Sequence, residues 1–160
     1  MTDRIKKLAE KYSSVIMGAR EYFHANPGIE FQEFETTKKI IEILEEHGIE
    51  YQKDIAVTGV LAIVRGKKEG KTVLLRGDMD ALPIEEEADV SYKSKVKGVM
   101  HACGHDSHAA GILGAALILN ELKDEIAGNI KFAFQPAEEN QGGAKPMIDA
   151  GILENPKVDA

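Results

Sequence analysis

Three histidines and the only cysteine of the chain lie within nine residues, Met100 to His108, which read Met-His-Ala-Cys-Gly-His-Asp-Ser-His. Hydrophobic packing does not require such a cluster, whereas thiolate and imidazole groups are common ligands of divalent metals. His101, Cys103 and His105 alternate with small residues, so in an extended segment their side chains point to one side. The spacing therefore favours a metal-binding segment over a buried free thiol beside solvent-exposed histidines.

A first pair of carboxylates, Asp78 and Asp80, follows the apolar run Thr72–Leu75 and again alternates on one side of an extended chain. Aspartate is also common in surface turns, so the pair alone leaves a purely structural role open. Its position directly after a predicted buried strand favours a functional role.

A second pair, Glu138 and Glu139, follows the alternating run Ile130–Gln135, which Pro136 terminates. Adjacent glutamates can simply occupy the first turn of a helix, where the helix dipole favours negative charge. Both interpretations remain open from these residues alone.

All three clusters lie where predicted strands end or a helix begins, and in open α/β sheets ligands gather outside the carboxyl ends of the strands. We therefore expect the clusters to converge. Thiolate, imidazole and carboxylate donors together suit Zn²⁺ or a similar divalent metal such as Mn²⁺. Two ions about 3.5–4 Å apart could hold a water against a carbonyl. One carboxylate would then bind metal while another takes the proton of the water, and Glu138 and Glu139 offer these two roles.

Periodicity predicts an α/β fold with a mixed order of helices and strands. The predicted helices are Arg4–Phe23, Glu33–Glu46 and Ser107–Lys123, and the predicted strands are Gly59–Val64, Thr72–Leu75 and Ile130–Gln135.

Local signals add detail to these elements. The polar Gly66–Gly70 connection predicts that the first two strands pair with each other. Asp106 is the predicted N-cap of the third helix, and Glu85–Glu87 is expected to be a solvated charge run. His24 and His47 are interpreted as structural histidines.

Bulk properties limit the functional classes. With 160 residues, 43% hydrophobic and 29% charged, the chain can form one domain with a hydrophobic core. The net charge of −7 opposes binding to nucleic acid or to an anionic membrane surface. The sequence shows neither a signal peptide nor a transmembrane segment. A single cysteine cannot form an internal disulfide, so we expect a cytoplasmic protein.

Three linked motifs resemble a known family. They are Arg-Gly-Asp-Met-Asp-Ala-Leu-Pro from Arg76, Met-His-Ala-Cys-Gly-His-Asp from Met100 and Phe-Gln-Pro-Ala-Glu-Glu from Phe134. In this order and at these separations they resemble the metallo-amidohydrolases that include aminoacylases, hippurate hydrolases, N-acetyl-diaminopimelate deacetylases and auxin-conjugate hydrolases. The resemblance implies a co-catalytic metallopeptidase-like catalytic domain, with a mixed sheet between helices in three layers.

The resemblance also implies roles for individual residues. Cys103, His105 and Glu139 become metal ligands in a site that holds two divalent ions, and Glu138 becomes the general base. Asp80 matches the aspartate that orients a metal-bound imidazole.

Other polar residues of the motifs receive no clear role from the resemblance. Asp78 stands where related peptidases carry a ligand histidine. His101 and His108 belong to the motif, but the resemblance does not make them ligands.

The implied activity is metal-dependent hydrolysis of the amide bond of small N-acyl amino acids. Members of the family are considerably longer, with an inserted lid or dimerisation domain and further ligand histidines, and the full-length form is associated with homo-oligomers. We therefore expect residues 1–160 to be the N-terminal portion of the catalytic domain. Two alternatives stay open: a non-catalytic metal-binding or interaction fragment, and a thiol hydrolase that uses Cys103 as nucleophile.

Overall fold

The computed structural model describes residues 2–140 and 142–160, which form a mixed β-sheet flanked by helices. In chain order the elements of this described part are α1 (Thr2–Ala25), α2 (Phe34–Glu46), β1 (Glu50–Ile55), β2 (Gly59–Arg65), β3 (Lys68–Asp78), α3 (His105–Glu121), β4 (Ala127–Gln135) and α4 (Ala144–Asp149). All six predicted helices and strands are present, and the predicted α/β class is confirmed.

The sheet has the strand order β1-β2-β4-β3. The β3 and β4 strands run parallel, with Val73 opposite Ile130, whereas β2 pairs with both β1 and β4 in the antiparallel sense. Because β3 and β4 are parallel, they deliver their carboxyl ends to the same edge of the sheet. The segments that follow them carry the two predicted carboxylate pairs.

Alternation along the central strands creates two apolar layers. Val60, Val64, Phe132 and Phe134 face the main core, which is filled by residues of α1, α2 and α3. On the opposite face Ala133 joins a smaller cluster that includes Met147 of α4 and Ile152. The sheet is therefore covered by apolar side chains on both faces, as expected for a layered α/β domain.

The predicted pairing of β2 with β3 is wrong, because β4 lies between them. The short connection between β2 and β3 passes around the beginning of β4 instead of forming a hairpin. A side chain at Gly66 would lie 2.4 Å from the carbonyl oxygen of Ile126, and one at Gly70 would lie 2.6 Å from the carbonyl carbon of Ala127. Glycine at these two positions therefore lets the β2–β3 connection lie directly against the beginning of β4.

Strand β1 was not predicted from the sequence. Its residues Glu50–Ile55 are largely exposed at the edge of the sheet, and only Ile55 is buried. An edge strand with this polar composition lacks the apolar alternation that identifies a half-buried strand.

Two local predictions about charged residues are also wrong. Helix α3 begins at His105, and its N-cap is Gly104, whose φ of 85° is left-handed, so Asp106 is not the cap. In the predicted solvated charge run Glu85–Glu87, the two outer residues are exposed as predicted, but Glu86 is buried. The carboxylates of Asp106 and Glu86 are instead directed towards His24, a contact that no local pattern encodes.

Among the described residues, the helices lack the sustained apolar stretch that a bilayer-crossing segment requires.

Candidate metal centre

The candidate centre is built from three segments at one edge of the sheet. Asp78 is the last residue of β3, His105 is the first residue of α3, and Glu138 and Glu139 lie just beyond β4. Gly104 turns the chain between Cys103 and α3 with its left-handed conformation, which glycine adopts without strain. The three clusters predicted from the sequence therefore meet in space.

His105 lies at the middle of the centre. Its ring is buried, and its Nδ1 lies 3.0 Å from both the carbonyl oxygen and Oδ1 of Asp80. Because both neighbours are acceptors, Nδ1 is the donor in these contacts, and Nε2 is the nitrogen that can face a metal. This is the arrangement in which a histidine binds a metal through Nε2 while a carboxylate orients its ring.

Acidic side chains surround His105 Nε2. Oδ1 of Asp78, Oε2 of Glu138 and Oε1 of Glu139 lie 3.8, 3.9 and 3.7 Å from it. Three carboxylates around one imidazole nitrogen concentrate negative charge in a small volume. Such a volume favours a bound cation.

Two groups of three side chains have ligand atoms that all lie within 4.8 Å of one another. The first is Cys103, His105 and Glu139, the set predicted from the family resemblance. Oε1 of Glu139 is buried and has no hydrogen-bond partner among the described residues. An orphaned carboxylate oxygen between a thiol and an imidazole fits a divalent cation that accepts soft and hard donors. The assignment of these residues as ligands remains a prediction.

The second group is Asp78, His105 and His108. His108 Nδ1 lies 2.7 Å from Oδ1 of Asp78, and the other oxygen of Asp78 forms an ion pair of 2.8 Å with Arg76. The rings of His105 and His108 are stacked, with centroids 5.7 Å apart. The structure thus brings Asp78 and His108, which had no firm role in the sequence analysis, to the same centre.

Cys103 is exposed and contacts the acidic side of the centre. A hydrogen bond with Glu139 raises the pKa of the Cys103 thiol, as do burial and the negative charges of Glu138 and Asp78. These carboxylates disfavour a second negative charge beside them. The raised pKa disfavours the thiolate, which is the nucleophilic form of a cysteine.

Asp80 connects two of the predicted ligands. One oxygen faces His105 Nδ1, while the other accepts a hydrogen bond of 3.0 Å from the backbone amide of Glu139. Asp80 is itself almost completely buried. Its position behind the imidazole agrees with the orienting role that the family resemblance implies.

His101 does not join either group of candidate ligands. Its ring is buried, and neither nitrogen has a hydrogen-bond partner among the described residues. Burial lowers the pKa of His101 to about 4, so the ring is neutral at pH 7.

A buried network behind the centre holds the segment that leads to Cys103. His24 Nδ1 lies 2.8 Å from Asp106, and His24 Nε2 lies 2.9 Å from Glu86. Arg20 forms an ion pair of 2.9 Å with Asp106, and Glu86 accepts a hydrogen bond from the amide of Ser94. The structural role predicted for His24 agrees with this network.

The model of peptidase family M20/M25/M40 matches residues 74–160, which is more than half of the chain and contains all the candidate ligands. The chain belongs to this family. The M20 family assignment confirms the resemblance found in the sequence motifs.

Individual relatives support the assignment. The chain is 48% identical over 156 residues to thermostable carboxypeptidase 2 of Saccharolobus solfataricus, covering 96% of this chain and 40% of the relative. It is 44% identical over 148 residues to an N-acetylcysteine deacetylase of Bacillus subtilis, covering 91% of this chain and 39% of the relative. The chain therefore spans about two fifths of the length of these M20 relatives.

A solved structure has the same fold. The YXEP protein of Bacillus subtilis, described as a dinuclear metal-binding peptidase from the M20 family, superimposes with a TM-score of 0.86 at 43% identity. The match covers 90% of this chain and 40% of that protein. A metal-binding relative of this similarity supports divalent metal ions as cofactors of the family to which the chain belongs.

Proposed function

We propose that this chain contributes the metal centre of an amidohydrolase that cleaves the amide bond of N-acyl amino acids. The observation that carries the proposal is the convergence of Cys103, His105 and Glu139 within 4.8 Å, with the carboxylate of Glu138 beside them. The proposal is supported by a relative named for the removal of an acetyl group from N-acetylcysteine. Residues 1–160 would form the N-terminal part of the catalytic domain.

Cys103, His105 and Glu139 would hold a divalent cation. When bound, the cation supplies the Lewis acidity that makes a water nucleophilic and polarises an amide carbonyl. The thiolate in this donor set favours Zn²⁺ over Mn²⁺, since soft ligands select zinc. Two ions per complete site are proposed by analogy with the dinuclear relative.

Glu138 is the proposed general base. Its side chain is 40% exposed, compared with 21% for Glu139, so it is more open to an incoming substrate. Hydrolysis requires a proton to leave the attacking water and a proton to reach the departing nitrogen. The carboxylate of Glu138 takes the first proton and returns it to the nitrogen, so the amide is converted to a carboxylic acid and an amine.

Asp80 keeps the other groups in position. By holding Nδ1 of His105, it fixes the ring so that Nε2 faces the ligand space, and by holding the amide of Glu139 it fixes that residue as well. Asp80 is therefore an orienting residue, because it contacts two ligands but faces away from the reacting groups.

Two alternatives have different support. A carboxypeptidase activity is suggested by the name of the relative at 48% identity, and it would require the same amide chemistry at the end of a peptide. A thiol hydrolase is disfavoured, because the carboxylates around Cys103 raise the pKa of its thiol. The single cysteine, which cannot form an internal disulfide, is compatible with the proposed cytoplasmic location.

The test uses a full-length protein that contains this chain. Metal content is determined by elemental analysis, and turnover is measured on N-acetylcysteine, other N-acyl amino acids and peptides with a free carboxyl terminus. We expect bound divalent metal, turnover of N-acyl amino acids, loss of activity with a chelator and recovery when metal is restored. Turnover that survives complete metal removal would contradict the proposal, and preference for peptides would favour the carboxypeptidase alternative.

The 160-residue chain is then assayed alone. We expect it to bind metal more weakly than the full-length protein and to show little or no turnover, because the family resemblance implies further ligand histidines. Metal binding without turnover in the full-length protein would instead favour a non-catalytic metal-binding role.

A further inference from the structure

Glu33 is a completely buried carboxylate that connects three backbone segments. Its Oε1 accepts hydrogen bonds from the amide of Phe31 at 3.1 Å and from the amide of Ala137 at 3.0 Å. Its Oε2 accepts a hydrogen bond from the hydroxyl of Thr58. These partners belong to the α1–α2 loop, to the β4–α4 loop and to the β1–β2 turn.

Each of the three segments contains a residue in the left-handed region without being glycine. The φ angles are 61° at Phe31, 72° at Val57 and 49° at Ala137. This conformation is unfavourable for residues with a Cβ, above all for the β-branched Val57. Such conformations persist only where the surrounding structure imposes them. The carboxylate of Glu33 supplies hydrogen bonds at the point where these segments meet.

The segment that begins at Ala137 carries the proposed base and the proposed ligand, Glu138 and Glu139. Oε1 of Glu33 therefore binds the backbone amide of the residue that directly precedes Glu138. The carbonyl of Ala137 accepts a bond from the amide of Gly143, which closes the loop from its other end. On the far side, Glu139 is held through its amide by Asp80.

Two ordinary explanations for Glu33 do not account for its position. It precedes helix α2, but its side chain makes no capping hydrogen bond to that helix. Among the described residues, no cation lies within ion-pair distance of its carboxylate. Burial of a carboxyl group is costly unless donors replace the lost water, and the donors here are the amides of Phe31 and Ala137 and the hydroxyl of Thr58.

We propose that Glu33 is a positioning residue that sets the orientation of Glu138 and Glu139 through the amide of Ala137. The inference deepens the proposed function and rests on it, because the carboxylates that it positions are the proposed base and metal ligand. It predicts that loss of Glu33 acts on the metal centre through the 137–139 segment and leaves the sheet intact.

The test compares variants of the 160-residue chain in two measurements. Co²⁺ is titrated while thiolate-to-metal absorption is followed, and hydrogen exchange is measured without metal at the amides of Ala137 and of Ala133 in β4. The variants are Glu33→Ala, Glu33→Asp and Glu33→Gln. Glu35→Ala is the matched control, because Glu35 is an exposed carboxylate in the first turn of α2, two residues from Glu33.

We expect Glu33→Ala to weaken Co²⁺ binding by about tenfold or more, as is typical when an outer support of a ligand is removed. Exchange at Ala137 should accelerate while exchange at Ala133 stays unchanged. Glu33→Gln retains an acceptor oxygen and should resemble the original chain, as should the control. In a Glu139→Ala background, Glu33→Ala should weaken Co²⁺ binding no further, because the ligand that it positions is already absent.

Unchanged exchange at Ala137 in Glu33→Ala would overturn the inference, as would additive effects of Glu33→Ala and Glu139→Ala on Co²⁺ affinity. If Glu33→Ala does not fold, Glu33→Asp carries the same test, since it keeps the charge but shortens the reach to Ala137. If the original chain does not bind Co²⁺, the proposed metal centre fails for this chain, and exchange at Ala137 still decides the role of Glu33.

Discussion

At the scale of single residues, the two adjacent glutamates of the centre have different surroundings. Glu139 has a buried oxygen without a hydrogen-bond partner in the described chain, and its amide is bound by Asp80. Glu138 belongs to neither candidate ligand group and is the more exposed of the two. Neighbours in sequence are therefore suited to different tasks, one to binding and one to proton transfer.

This difference predicts different effects for two conservative substitutions in the full-length protein. Glu138→Gln should retain metal and lower the rate of hydrolysis by about 10²–10⁴-fold, because the proton acceptor is lost. Glu139→Gln should lower metal content, because a charged ligand is lost. Elemental analysis and steady-state kinetics measure the two effects. A Glu138→Gln protein with near-normal rate would remove Glu138 from the role of base.

Asp80 provides a second prediction at this scale. Asp80→Ala should weaken Zn²⁺ binding by about 10–100-fold, because His105 and Glu139 both lose the partner that orients them. Competition with a chromogenic chelator measures the affinity. Asp89→Ala removes an exposed aspartate from the same connection and is the control. Equal affinity of the Asp80→Ala and Asp89→Ala chains would contradict the orienting role.

At the scale of elements, α1, α3 and the long connection between β3 and α3 are joined by buried charge. His24 near the end of α1 lies between Asp106 in the first turn of α3 and Glu86 in the connection. Arg20 contributes a positive charge to Asp106 and stacks against Tyr92 with its guanidinium 4.7 Å from the ring centre. These contacts anchor the connection that leads to Cys103.

The network predicts a pH dependence of stability. Burial alone raises the pKa of Glu86, but hydrogen bonds from the Ser94 amide and from His24 outweigh burial and lower it below its ordinary value. The folded protein thus binds this proton more weakly than the unfolded chain. The contribution of Glu86 to stability is present above about pH 4.3, the ordinary glutamate pKa, and is lost as the pH falls through the lowered pKa of Glu86.

Urea unfolding between pH 6 and pH 3 in the presence of a chelator measures this dependence. The free energy of unfolding should fall more steeply in the original chain than in Glu86→Gln, by up to about 1.4 kcal/mol per pH unit, which corresponds to one proton. Glu87→Gln changes an exposed neighbour and should retain the steep slope. Identical slopes in all three chains would show that Glu86 does not couple to folding.

At the scale of the whole molecule, the candidate metal centre lies at the junction of several elements, so binding of a metal there should affect global stability. The candidate ligands come from the connection before α3, from α3 itself and from the loop after β4. A ligand that binds only the folded chain stabilises it by mass action.

We therefore expect Zn²⁺ to raise the unfolding free energy of the 160-residue chain by about 2.7 kcal/mol at a free concentration 100 times the Kd. Thermal unfolding with and without Zn²⁺ measures the change, and a chelator should reverse it. Cys103→Ala should reduce the effect strongly. His47→Ala should leave the effect of Zn²⁺ unchanged, because His47 contacts the carbonyl oxygen of Ile43 and lies away from the centre. A melting temperature that is independent of Zn²⁺ would contradict binding by this chain.

The sequence by itself determined six of the eight elements of the described chain and the chemistry of its motifs. Helical and alternating periodicity depend on which residues along a short stretch are apolar, and so β4 and α1 were predictable from local patterns. The motif around Cys103 and His105, the two carboxylate pairs and the family resemblance were likewise contained in short segments. The three site segments were also expected to converge, because ligands gather at strand ends in α/β sheets.

Only the tertiary structure decided which elements are neighbours. Strand β4 enters between β2 and β3, although a short polar connection suggested a hairpin. Lys131 alternates with apolar residues as a solvent-facing residue would, yet it is buried, and its amine donates to the carbonyls of Ile152 and Glu154. Local patterns describe the preference of a residue for water, but not the distant group that replaces that water.

The same reason applies to the buried carboxylates. Glu33 and Glu86 resemble ordinary surface glutamates in sequence, and their roles depend on partners far along the chain: the amide of Ala137 for Glu33, and His24 for Glu86. A buried charge is tolerated only where such partners converge, and convergence is set by the packing of whole elements. Sequence therefore identified the proposed metal ligands, whereas tertiary structure decided which groups hold them in position.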